Sequence, residues 1–148
     1  MKILVIENSA VHQQAAKNQL AEHDLMVVDS CFDAQSLIRK GDYDVVLTDL
    51  MLNDGFRWGC NEGGEIGSGV FVVLLAAMNH VRYIGLLSDT GRHAGWEAAS
   101  LAELGGGKPM PITIQGAKVL LCSSDAGMID NDGTKNWAKL LKALIEES

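Results

Sequence analysis

Two short, strongly apolar runs set the tightest limit on what this chain can fold into. Ile3-Leu4-Val5-Ile6 and Val45-Val46-Leu47-Thr48 each run straight into a carboxylate, Glu7 and Asp49. Continuous runs of that length are the pattern of strands covered on both faces. Leu50, Met51 and Leu52 follow Asp49 at once. A carboxylate beside that much apolar surface is costly unless something holds it.

The segments between the runs read as helices. Ser9 can cap a weakly amphipathic helix reaching about His23. Leu25 to Asp29 is a second strand, and Asp33 to Lys40 a short helix with Leu37 and Ile38 inward, stopped by Gly41. Strands alternating with helices imply a parallel sheet with right-handed crossovers. In such sheets the working site lies beyond the carboxyl ends of the strands, and Glu7, Asn8 and Asp49 all fall there.

The second half continues the alternation. Asn53 to Gly69 is glycine-rich, carries Trp58 and Cys60, and reads as a long loop, with residues 56–69 as an insertion. Val70 to Val81 fits strand or helix by periodicity, and the alternation favours helix. Its run Val70 to Met78 reads as core, with an exposed patch serving a homodimer as the alternative. Tyr83 to Leu87 is the fourth strand, ending at Ser88-Asp89-Thr90. Trp96 to Leu104 is a helix stopped by Gly105-Gly106-Gly107, and Lys108 to Gly116, with both prolines, reads as a loop. Val119 to Cys122 is the fifth strand, ending at Ser123. Asp130-Asn131-Asp132-Gly133 is a turn leading to a Thr134 cap on a last helix, Thr134 to Glu146, with Trp137, Leu140, Leu141 and Leu144 on one face. The expectation is one α/β domain over 1–148, a doubly wound five-stranded parallel sheet of order 2-1-3-4-5 with helices on both faces.

Composition narrows the functional classes. At 148 residues, 47% hydrophobic and 21% charged, the chain can bury a real core. A net charge of -7 disfavours direct nucleic-acid binding. Cys31, Cys60 and Cys122 form no C-x-x-C pair, which fits a reduced cytoplasm rather than zinc or a disulfide framework. No apolar stretch approaches the length of a membrane span, and Ile3 to Ile6 is too short for a signal peptide. His12, His23, His80 and His93 are scattered and read as surface or cap residues.

The segments Lys2-Ile3-Leu4-Val5-Ile6-Glu7-Asn8 and Asp42-Tyr43-Asp44-Val45-Val46-Leu47-Thr48-Asp49-Leu50-Met51-Leu52 resemble the receiver domain of bacterial response regulators. The likeness is close over the first 55 or so residues and looser at Tyr83 to Ser88 and Gly116 to Cys122. It implies a flavodoxin-like fold and a non-enzymatic role in two-component phosphorelay signalling. By the resemblance, Asp49 is the phospho-acceptor and Ser88 the switch hydroxyl. Mg²⁺ would be held by Glu7, Asn8, Asp49 and the Met51 carbonyl. A histidine kinase or phosphotransfer protein would be the donor, and a downstream protein the output. Oxygen ligands suit Mg²⁺, which neutralises a phosphoryl group as it transfers.

The chain also departs from that family. Asn8 stands where a second acid is usual, which weakens the metal site, and Asn53 replaces the usual proline. Leu120 occupies the switching-aromatic position. The lysine that ends the last strand is replaced by Ser123, with Lys108 as a candidate substitute. The alternative is therefore a degenerate receiver that binds a protein partner without phosphorylation. Ser88 also fits a plain cap for a helix starting near Thr90. A nucleotide- or flavin-binding enzyme on the same topology is opposed by the lack of a glycine-rich turn after Ile6.

Overall fold

The computed structural model describes residues 1–54, 64–91 and 93–146. Most of the expected insertion at 56–69, with Trp58 and Cys60, lies outside the described residues. The elements run β1 (Lys2–Ile6), α1 (Ala10–Gln19), β2 (Asp24–Val28), α2 (Cys31–Arg39), β3 (Val45–Thr48), α3 (Gly69–Met78), β4 (Tyr83–Leu87), α4 (Trp96–Gly105), β5 (Met110–Ile114), β6 (Ala117–Cys122) and α5 (Trp137–Glu146).

The sheet has six strands in the order β2-β1-β3-β4-β6-β5, not five. β2, β1, β3, β4 and β6 are parallel neighbours in the expected sequence. β5 is the addition, paired antiparallel to β6 at the edge. The two prolines had marked this stretch as loop. An edge strand tolerates Pro111, which brings no N–H to the ladder. Met110, Ile112 and Ile114 alternate with the exposed Pro111 and Thr113, the period of a half-covered strand. Gln115 and Gly116, both in the left-handed region at φ 49° and 83°, close the hairpin.

Helices cover both faces. Ile3, Val5, Val45, Leu47, Leu87 and Leu120 face α1 and α5, where Trp137 and Leu140 are fully buried. Leu4, Ile6, Val46, Ile84, Leu86 and Val119 face α2, α3 and α4. Two glycines permit close approaches. A side chain on Gly69 would lie 1.9 Å from the Asp49 carbonyl oxygen, so α3 can start against the end of β3 only with glycine there. A side chain on Gly85 would meet Leu47 and Leu140 at 2.9 and 3.0 Å.

Helix ends differ from expectation in ways that matter for the site. Ser9 precedes α1 but makes no side-chain cap bond. The last helix starts at Trp137, and Asn136 caps it by accepting from the Lys139 N–H at 2.8 Å. Thr134 bonds Asp132 instead. Among the described residues no helix is long and apolar enough to cross a membrane.

Candidate functional site

Parallel strands all deliver their ends to one rim, and residue alternation decides which face each side chain takes. Glu7 continues the Ile3–Val5 series, Asp49 the Val45–Leu47 series, and Asp89 follows Leu87. All three carboxylates therefore lean toward α1 and α5. There they meet the ammonium of Lys135, from the segment between β6 and α5.

Lys135 Nζ lies 2.5 Å from Glu7 Oε2, 2.9 Å from Asp49 Oδ1 and 3.3 Å from Asp89 Oδ1. Lys135 and Glu7 are fully buried, and Asp49 is 4% exposed. Burial on this scale is tolerated because the charges are paired and bonded. The Trp137 ring adds a π face 5.5 Å from Nζ. The ammonium thus answers what holds Asp49 beside so much apolar surface.

The lysine is held from its backbone outward. An antiparallel bridge pairs Ile129 with Lys135, and the Asp130 N–H donates to the Thr134 carbonyl at 2.8 Å. Gln19 of α1 donates to the Lys135 carbonyl and accepts from the Trp137 N–H. His12 Nδ1 accepts the Lys135 N–H at 3.3 Å, which places the ring proton on Nε2, 2.8 Å from Asp89 Oδ2. The Trp137 indole N–H donates to the His12 carbonyl at 3.0 Å. His12 is buried in this network, contrary to the expected surface or cap role.

The remaining oxygens are largely occupied. Glu7 Oε1 accepts the Ser9 N–H, and Asp49 Oδ1 also accepts the Leu50 N–H at 2.7 Å. Both of these Asp49 contacts fall on Oδ1. Burial pushes the Asp49 carboxyl up to about 7; Lys135 opposes the rise, while Glu7 and Asp89 add to it. Burial would lower Lys135, but the three carboxylates outweigh it and hold it above its ordinary 10.5. Burial likewise works against ionised Asp89, and Lys135 and His12 overcome it, so its pKa is lowered.

The other expected residues are placed less tightly. Asn8 Nδ2 donates to Glu65 Oε1 at 2.7 Å, which ties the rim to the segment leading into α3. Met51 is half-buried against the α2–α4 core. Ser88 follows the Ile84–Leu86 series, toward the opposite face from Asp49. Its Oγ accepts the Thr90 N–H at 3.2 Å, and no described bond joins it to Asp49. The next helix starts only at Trp96, so Ser88 is not its cap. Lys108 is exposed in the turn before β5. Ser123 Oγ is the single buried side-chain polar atom without a partner among the described residues.

Sequence reasoning missed Lys135, His12 and Asp89. Lys135 lies 128 residues from Glu7 in the chain and sits in no motif. One usable signal existed: a segment following a parallel strand opens at the carboxyl rim, where a lysine just ahead of the helix can reach the strand-end acids.

Glu7, Asp49, Asn8 and Met51 offer hard oxygens of the kind Mg²⁺ takes. Among the described residues no group of three or more His, Cys, Asp or Glu forms a metal cage. Of these, Glu7 and Asp49 already meet the Lys135 ammonium, so a Mg²⁺ here would take one or two carboxylates and the rest of its shell from water and phosphate. Comparison with protein-family models, with curated proteins and with solved structures returns no match to this chain.

Proposed function

We propose that this chain is an atypical receiver of the flavodoxin-like type, in which Asp49 accepts a phosphoryl group in a phosphorelay. The observation that carries this reading is the Lys135 ammonium 2.9 Å from Asp49 Oδ1. It supplies from another segment the cation missing at the end of β6. A site that takes on about two negative charges with a phosphoryl group needs such a cation.

The transfer is a simple exchange. Asp49 Oδ2 attacks the phosphorus of a phosphohistidine on a kinase or phosphotransfer protein. The new O–P bond forms as the P–N bond breaks, and the histidine nitrogen leaves with the electron pair. Lys135 neutralises the arriving oxygens. Glu7 orients Lys135, and the His12–Asp89 pair fixes it from the other side. Mg²⁺, held by Asp49 with Glu7, Asn8 and the Met51 carbonyl, would supply further charge neutralisation. Ser88, the switch hydroxyl by resemblance, faces the other side of the sheet and accepts the Thr90 N–H, so the transfer itself is carried by Asp49 and Lys135.

Incubation with Mg²⁺ and acetyl phosphate tests the reading by intact mass. Wild type should gain one phosphoryl group and Asp49→Ala none, and Lys135→Ala should gain it ~10²-fold more slowly. No adduct in wild type, together with no spectral response to beryllofluoride, rules the reading out.

One observation favours a second reading, a binding module that works without phosphorylation. Asp49 is 4% exposed and its Oδ1 is already held by Lys135 and the Leu50 N–H. On that reading Asp49→Ala keeps its protein partner and wild type never takes the phosphoryl group.

A further inference from the structure

We propose that the groove between α3 and α4 receives an amphipathic helix of a partner protein, apolar on one face and basic along its flank. The proposal goes beyond the phospho-acceptor reading and needs nothing from it.

α3 contains no charged residue from Gly69 to Met78. Such a helix should be covered on all sides, yet Val70, Leu74 and Met78 are 51, 46 and 63% exposed. Their i, i+4, i+8 spacing puts them on one stripe. α4 carries a matching stripe in Trp96, Ser100 and Leu104, with Trp96 77% and Leu104 67% exposed. The stripes flank a cavity of about 410 Å³ floored by Leu50, Leu86 and Leu121. Helix-in-groove recognition uses this geometry, with anchors one helical turn apart.

Area and charge select the occupant. The five exposed apolar residues present on the order of 700 Å², close to the ~800 Å² that each partner buries in a standard interface. A small molecule filling the cavity would leave Met78 and much of Trp96 uncovered. Glu97 lines the same groove and has no partner among the described residues; it packs against Gly67, 2.9 Å from where a side chain there would start. A second copy of a chain with net charge -7 would bring another Glu97 to the interface. A partner's lysine or arginine meets it instead.

The test uses three synthetic peptides of about 18 residues, long enough to hold a helix once docked. They share one leucine face and carry Lys, Gln or Glu on the flanks, and fluorescence anisotropy reports binding to the full chain. The Lys peptide should bind at least ~10-fold more tightly than the Glu peptide, a difference of ~1.4 kcal/mol. Leu74→Asp should weaken the Lys peptide by ~10-fold or more. Trp96→Ala is the second variant, with circular dichroism confirming the fold of each. Glu97→Gln should remove the preference for Lys over Glu and leave the Gln peptide unchanged. Equal affinity for all three peptides, or binding indifferent to both groove variants, overturns the proposal. So does a wild-type dimer that Leu74→Asp makes monomeric, which assigns the groove to a second copy. An apolar dye that binds where no peptide does assigns it to a small molecule. Peptide binding without a phosphoryl adduct counts against the receiver reading alone.

Discussion

The two faces of the sheet solve different problems. Under α1 and α5, three carboxylates converge on one buried ammonium, and His12 bonds one of them. Under α3 and α4, a groove between the helices leaves apolar stripes open to solvent. The closed face is fixed by electrostatics in a low-dielectric setting, where a change of one charge is felt strongly. The open face is held by burial alone, so substitutions at its surface should alter recognition and leave the fold intact. The backbone joins the two: Leu50 donates its N–H to Asp49 on one side and floors the groove on the other.

The largest expected break is Lys135→Met. It leaves Glu7, Asp49 and Asp89 without their cation and should cost about 3–5 kcal/mol in urea unfolding at pH 7. The loss should shrink at pH 5, where the carboxylates can protonate. Because Lys135 is held above 10.5, its contribution in wild type is present below that pH and fades as pH rises past the folded-state value.

Asp49→Asn should act in the opposite direction. Asp49 is raised from 3.8 to about 7, so the folded chain keeps a proton that the unfolded chain releases between those values. Wild-type stability from this group therefore falls as pH rises from about 4 to 7. The asparagine variant lacks that slope and should be more stable at pH 8, by at most ~4 kcal/mol at 1.36 kcal/mol per pH unit. A variant less stable than wild type at pH 8 would mean that ionised Asp49 stabilises the closed face.

Asp54→Ala probes a fully buried carboxylate on the α2–α3 side. Asp54 accepts the Cys31 and Phe32 N–H groups at the start of α2 and the Ser68 hydroxyl ahead of α3. Its removal should cost roughly 2 kcal/mol in thermal or urea unfolding. Leu74→Asp, on the open face, should change stability by no more than about 0.5 kcal/mol. A larger loss would show that the groove wall carries the core.

Particular residues show how far the chain could be read in advance. The parallel strands and the positions of Glu7 and Asp49 were legible because an apolar run ending on an acid is a local pattern. β5 was hidden by Pro109 and Pro111, whose meaning depends on whether a strand lies at an edge. The Val70–Met78 run is core at Val72, Val73, Leu75, Ala76 and Ala77, but hydropathy does not register an absent neighbour, so the exposure of Val70, Leu74 and Met78 was not legible. Lys135 falls inside the expected last helix, Thr134 to Glu146, with nothing local to mark it.

What the sequence alone determined is the alternation of strands and helices, and with it the rim where the strand-end acids gather. Those follow from local periodicity and the chain's handedness. Only the tertiary structure decided which cation meets those acids, which histidine fixes it, and which helical faces stay uncovered. Each depends on segments far apart in the chain, up to 128 residues for Lys135 and Glu7, or on a gap between helices, and neither is written in any one stretch of chain.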